Sequence, residues 1–241
     1  VVICYRNVNE NRGAVVVGTL SGTNMSFGTE VLLQTQSEDL SSTFDPDEEK
    51  VIINYRYSNS NYSVVGTVSG TSISFGTPVV FNSGYGYNGT CVYDTTNNKV
   101  VIAYTYDNKG YAVVGTVSGT SISFGSRVEF NSNVATNIAI TFDSANSKVV
   151  IFYRDRDNEE QCTGIVGTVS GTSISFGTET WIERANSSMS VDNISAAYDS
   201  TNGKVIASFA YHYSSSYLDG RSVVTSVSGT DLIAFAPKVF S

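Results

Sequence analysis

The chain has 241 residues, with 22 Asp and Glu against 14 Lys and Arg, a formal net charge of -8 and 41% hydrophobic residues. Charge is sparse, acidic in balance and without a basic stripe, which argues against a nucleic-acid or anionic-membrane partner. No apolar run reaches the length of a membrane-spanning helix, so no membrane insertion is implied.

One short phrase organises the rest. Ser-Gly-Thr occurs at 21–23, 69–71, 118–120, 170–172 and 228–230, at intervals of 48, 49, 52 and 58 residues, each time between two apolar strand-like segments. A period of about fifty residues filled only with strands is the sequence signature of a β-propeller blade. A single repeat cannot bury its own apolar faces, whereas a domain of this length buries about three-quarters of the surface of its unfolded chain. The five copies therefore form one domain over 1–241, with blades at approximately 1–36, 37–84, 85–133, 134–189 and 190–241. The predicted fold is all-β: a five-bladed β-propeller of four-stranded antiparallel blades.

In chain order, the first copy opens inside strand B with Val1, Ile3 and Tyr5, with no strand A before it. The second brings strand A to Phe44, a turn from Asp45 to Lys50, and strand B with Val51, Ile53 and Tyr55. In the third, strand A runs Asn88–Tyr93, strand B Val100–Tyr106, strand C Ala112–Val117 and strand D Ser121–Phe130. Val149, Ile151 and Tyr153 repeat the strand B face in the fourth copy, and Val205, Ala207 and Phe209 in the fifth. Both faces of strand B are largely apolar, as expected for a sheet packed between sheets.

Strands B, C and D thus occur five times and strand A four. The first blade stays three-stranded unless a neighbouring chain or a flanking repeat completes it, and its unpaired edge invites self-association. The chain starts without Met or signal peptide, in mid-blade, which reads as a processed product or an excised piece.

Two turns scarcely vary. Between A and B an aromatic residue and Asp precede four residues and Lys, a pattern in which Asp accepts hydrogen bonds from the turn backbone and Asn at the third turn position takes a left-handed conformation. Between C and D the glycine of Ser-Gly-Thr supplies a positive φ. These are folding needs, and no helix follows any of the glycines to make a phosphate cradle.

Variation falls in the B–C loops (7–13, 58–62, 107–110, 155–163, 212–221) and the D–A connections (34–38, 82–87, 131–136, 183–192), which an up-and-down blade places on one face of the disc. That face holds Tyr57, Tyr62, Tyr85, Tyr87, Tyr106, Tyr111, Tyr211, Tyr213 and Tyr217 among many Asn, Asp and Ser. Rigid aromatic plates beside amides and carboxylates suit sugar faces, while a strand-end tyrosine also covers a core edge. Arg6, Arg56 and Arg154 share one slot at the end of strand B, either converging on a carboxylate ligand or lying along neighbouring polar loops.

Nothing implies a metal or cofactor. His212 is the sole histidine, and Cys4, Cys91 and Cys162 lack zinc or redox spacing; Cys4 and Cys91 lie within strand patterns and read as small apolar residues. The sequons at Asn24, Asn61, Asn88, Asn186 and Asn193 are as many as Asn, Ser and Thr content alone produces.

The arginine slot resembles the arginine triad of sialidase propellers, and Ser173-Ile-Ser-Phe-Gly-Thr-Glu-Thr-Trp181 resembles a degraded form of their Asp-box. The Asp of that box is replaced by Ser26, Ser74, Ser123 and Ser175, and no Tyr-Glu nucleophile pair is identified in the sequence. Lys99-Val-Val-Ile-Ala-Tyr through Val113-Val-Gly-Thr-Val-Ser-Gly-Thr-Ser-Ile-Ser-Phe-Gly, with Thr77-Pro-Val-Val-Phe-Asn-Ser, resembles multi-copy repeats in structural and tail-associated proteins of marine phages and aquatic microbes. The resemblance implies a blade and carries over no functional residue. The sequence-based expectation is a non-catalytic extracellular or virion-surface propeller binding glycans or a surface protein. A fibre or appendage building block and a sialidase-like hydrolase are the alternatives.

Overall fold

The computed structural model describes residues 1–184, 189–214 and 217–240 and contains five antiparallel sheets. Sheet 1 holds β1 (Val2–Asn7), β2 (Arg12–Ser21), β3 (Asn24–Phe27) and β4 (Val31–Thr35). Sheet 2 holds β5 (Glu38–Asp45), β6 (Lys50–Tyr57), β7 (Ser60–Ser69), β8 (Ser72–Phe75) and β9 (Val79–Asn82). Sheet 3 holds β10 (Gly86–Asp94), β11 (Lys99–Tyr106), β12 (Lys109–Ser118), β13 (Ser121–Phe124) and β14 (Val128–Asn131). Sheet 4 holds β15 (Ala135–Asp143), β16 (Lys148–Asp155), β17 (Gln161–Ser170), β18 (Ser173–Phe176) and β19 (Thr180–Glu183). Sheet 5 holds β20 (Ser190–Asp199), β21 (Lys204–Ser214), β22 (Tyr217–Ser228), β23 (Asp231–Ala234) and β24 (Lys238–Phe240).

The architecture is a five-bladed β-propeller. Within a blade, strands A, B and C pair in sequence order, and strand A is missing from sheet 1, as the repeat count predicts. Strand D differs from its prediction. It is two short strands, both paired to strand C and separated by a three-residue break such as 125–127.

The break has a packing cause. At Gly125 an added Cβ would lie 1.9 Å from the backbone oxygen of Thr172, and Gly28, Gly76 and Gly177 stand in the same relation to Thr71, Thr120 and Thr230. The Ser-Gly-Thr turns of blades 2 to 5 therefore press their Thr carbonyls onto the glycine in the preceding blade's strand D. The turn glycines themselves have φ between 59° and 63°, as predicted.

The A–B turns hold through their aspartates. Asp94 accepts from the backbone N–H groups of Thr96 (2.9 Å) and Asn97 (3.0 Å), and Asp45, Asp143 and Asp199 repeat the arrangement. The left-handed residue is displaced by one from its expected place. Glu49, Asn98, Ser147 and Gly203 carry the positive φ, while in three of the four turns the residue before it is an Asn (Asn97, Asn146, Asn202) that donates its side-chain amide back to Asp, at 2.8 Å for Asn97 and Asn146. Satisfying the second carboxylate oxygen outweighs the conformational tolerance of Asn.

Core clusters pair sheets 1 and 2, 2 and 3, 3 and 4, and 4 and 5. Among the described residues no core cluster joins sheet 5 to sheet 1. Tyr5 is 38% exposed where Tyr55, Tyr104 and Tyr153 are buried, and Val224 is 39% exposed where Val65, Val114 and Val166 are buried. The apolar seam between the last and first blades is unsealed.

Cys4, Cys91 and Cys162 are free, and burial pushes the Cys91 thiol up to about 12. They pack as apolar residues.

Candidate functional site

Antiparallel A–B pairing sets the start of each A strand beside the end of its B strand. Glu38 lies opposite Arg56, Gly86 opposite Tyr106, Ala135 opposite Asp155 and Ser190 opposite His212. B–C loops and D–A connections therefore share one face. Each A strand also bulges there, between Glu38 and Ser41, Tyr87 and Thr90, Thr136 and Ala139, and Asp192 and Ser195. A bulge leaves one residue unpaired and turns its side chain out of the ladder. That residue is Asp39, Asn88, Asn137 or Asn193, each with φ between 49° and 55°.

Neighbouring A strands are in contact with one another, so these bulges gather at the inner rim of the face. They were not singled out from the sequence. The signal was present: an Asp or Asn stands six residues before the turn aspartate in all four copies.

The bulges capture the arginines. Arg6 pairs with Glu38 (3.5 Å) and donates to Asn11 (3.0 Å). Arg56 pairs with the same Glu38 (2.9 Å) and with Asp39 (3.0 Å). Arg154 has a separate set, Glu160 at 3.0 Å together with Asp192 and Thr136. Asp192 also accepts from Asn137 (3.0 Å) and lies 3.5 Å from His212. In the third blade Thr105 fills the arginine slot and donates to the Ala135 carbonyl. The three guanidinium groups do not form one clamp; each lies along a polar neighbour of the adjoining strand.

The tyrosines divide into covered and open ones. Tyr57, Tyr62, Tyr87, Tyr106 and Tyr111 are half-buried, whereas Tyr85 and Tyr213 are exposed. Tyr62 stacks on the core residue Tyr55 (5.6 Å) and tilts against Tyr57 (6.1 Å), so this pair seals a core edge. Tyr106 and Tyr111 stand beneath Arg127, at 4.5 and 5.0 Å from its guanidinium. Tyr211 is buried, with Arg221 3.8 Å from its ring. The Tyr217 side chain and the sequon Asn186 lie outside the described residues.

Among the described residues Tyr85 is the most open plate, with Arg56 4.4 Å from its ring and Tyr87 tilted 6.4 Å away. Tyr213 sits between Asp219, to which it donates at 2.7 Å, and Arg221, which pairs with Glu183 (3.1 Å). Arg127 and Arg221 were also missed from the sequence, because each occurs once in its slot and breaks the repeat instead of following it.

Tyr153 and Glu179 form a Tyr-Glu hydrogen bond of 2.7 Å that the sequence did not disclose. Tyr5 and Glu30 occupy the same slots in the first blade and form the same bond. The Tyr153 ring is fully buried, which gives the pair a packing role. Beside it Asp155 is 1% exposed, and one carboxylate oxygen has no hydrogen-bond partner. Burial, then the Glu179 carboxylate, push the Asp155 carboxyl above its ordinary range.

A raised folded-state value means that the native state binds the proton more tightly than the unfolded chain. This residue therefore favours folding at pH below the ordinary carboxylate range and ceases to as pH rises through the raised value. Asp155→Asn is expected to raise stability at pH 7 by about 1 kcal/mol, within the range for relieving an unsatisfied buried polar group. Urea midpoints at pH 4 and 7 check it, with a smaller gain at pH 4. A loss at pH 7 contradicts the assignment.

No family model matches the chain, and no curated protein matches it. Solved structures do. The NanB sialidase of Streptococcus pneumoniae superposes with a TM-score of 0.59 at 12% identity, over 89% of this chain and 36% of that one. This chain thus spans about a third of that sialidase. An endo-1,4-beta-xylanase from Bacteroides thetaiotaomicron gives 0.52 at 7% identity, over 99% and 94%, and a nidogen/laminin complex 0.51 at 10%, over 97% and 88%. The likeness is one of fold alone.

Proposed function

We propose that the chain is a non-catalytic binding propeller, extracellular or on a virion surface, that holds neutral glycans on its B–C/D–A face. The observation that carries this reading is the exposed Tyr85 ring, steadied by Arg56 and flanked by Tyr87 and by the Glu38 and Asp39 carboxylates that Arg56 binds. An aromatic plate takes the C–H face of a sugar, and adjacent carboxylates accept from its hydroxyls. Tyr213 with Asp219 and Arg221 is a second plate of the same make-up on the last blade.

Charge favours a neutral ligand over an acidic one. Arg6, Arg56 and Arg154 are each paired with carboxylates, so an incoming carboxylate must displace them. That weighs against a sialidase-like reaction, for which no turnover of sialosides is expected.

Wild-type protein on a glycan array is expected to bind a restricted set of neutral glycans. Tyr85→Ala is expected to weaken that binding at least about tenfold, the scale of one lost stacking contact of roughly 1.4 kcal/mol. Its unfolding free energy stays within about 0.5 kcal/mol of the wild type because the ring is on the surface. A blank array from folded protein, or unchanged binding by the variant, overturns the reading.

A further inference from the structure

A pocket of about 500 Å³ opens at the inner edge of sheet 1, lined by Val1, Val2, Val17, Ser42, Thr43, Phe44, Val51 and Val68. It lies where a strand A of the first blade would stand: β1 is the edge of its sheet, and Ser42, Thr43 and Phe44 belong to the A strand of the next blade. We propose that this groove is a β-strand acceptor, and that its occupant is a strand with the sequence pattern of the molecule's own A strands.

The four complete blades fix what fits. Opposite the first valine of strand B stands an aromatic residue, as Phe44 opposite Val51, Tyr93 opposite Val100, Phe142 opposite Val149 and Tyr198 opposite Val205. One place earlier stands Thr43, Val92, Thr141 or Ala197. In blade 3 this residue, Val92, packs into the core shared with the next blade. In blade 1 its counterpart would stand opposite Val2, which lines the pocket together with Val17, Val51 and Val68.

Phe44 shows what the groove lacks. Its counterparts Tyr93 and Phe142 are 5% and 8% exposed, and the Tyr93 hydroxyl donates to Asp47 in the A–B turn of the preceding blade, at 3.2 Å. Phe44 has no preceding A–B turn and is 54% exposed. A strand paired to β1 would bring that turn with it.

The last blade cannot supply the fit by docking its rear face against blade 1, whether in the same molecule or in a second copy. Phe235 follows β23 where Gly28, Gly76, Gly125 and Gly177 follow the corresponding strands, and at those positions any Cβ meets the next blade's Thr carbonyl at 1.9 Å. In the repeat geometry Phe235 would strike Thr23. An added strand meets no such obstacle, and main-chain pairing with alternate side chains in pockets is the general form of strand addition.

The probe is a synthetic peptide with the sequence of residues 135–148, Ala-Thr-Asn-Ile-Ala-Ile-Thr-Phe-Asp-Ser-Ala-Asn-Ser-Lys. Added to the folded chain, it is expected to bind saturably below about 1 mM and to slow amide exchange in β1. A scrambled peptide is expected to do neither. Phe44→Lys, a change at an exposed side chain, is expected to weaken binding at least about tenfold while the unfolding midpoint holds. Absence of saturable binding, indifference to scrambling or to Phe44→Lys, or protection that leaves β1 unchanged overturns the proposal. Concentration-dependent self-association that protects β1 without peptide overturns it too, by assigning the groove to a second copy.

Discussion

Gly125→Val is expected to lower the unfolding free energy by about 3 kcal/mol, the upper end of ordinary overpacking, because its first added atom falls 1.9 Å from the Thr172 oxygen. That oxygen is backbone and cannot rotate away. Either the Ser-Gly-Thr turn of blade 4 lifts off blade 3, or strand D of blade 3 shifts. Gly119, in the turn of blade 3, makes a sharp contrast: an added Cβ meets nothing within 4 Å there, and only its φ of 59° constrains it. Gly119→Asn is accordingly expected to cost less than about 1 kcal/mol, since Asn tolerates the left-handed region. Urea unfolding of both variants checks the pair; equal costs would show that the strand D glycine is not the blade-to-blade contact.

Ile151→Ala is expected to cost about 3 kcal/mol, and the same substitution at Ile3 less than about 1 kcal/mol. Both residues occupy the central slot of strand B. Ile151 is fully buried between sheets 3 and 4, while Ile3 is 37% exposed at the unsealed front of sheet 1. Truncating a buried side chain loses transfer energy and leaves a cavity, whereas solvent fills the space beside an exposed one. The difference measures the missing neighbour. Comparable losses at the two sites would mean that sheet 1 is covered in solution.

Strand B, the A–B turn and the C–D hairpin were readable residue by residue because packing between blades imposes the same demand at every junction. Val1, Ile3 and Tyr5 even show which blade is unsupported, by matching buried residues while standing exposed. The break in strand D was not read as a break, because Phe-Gly-Thr looks like continuing strand until the Thr carbonyl of the next blade is placed on it. The site was legible only in outline. Loop positions located the face, but chemistry there depends on contacts between residues from different strands: Arg56 with Asp39 and Tyr85, Arg154 with Asp192, Arg221 with Glu183. No local pattern encodes those partnerships. The bulge residues Asp39, Asn88, Asn137 and Asn193 lie between the two cases, periodic enough to be found and hidden inside a strand pattern.

In the proposed function the variable face binds and the Ser-Gly-Thr face is scaffold. Hydrogen exchange with a glycan selected on the array tests it most directly. Slowed exchange is expected at residues 38–41 and 85–90, with the turns at 21–23, 69–71, 118–120 and 170–172 unchanged. Protection confined to those turns, with none at 38–41 or 85–90, would contradict it.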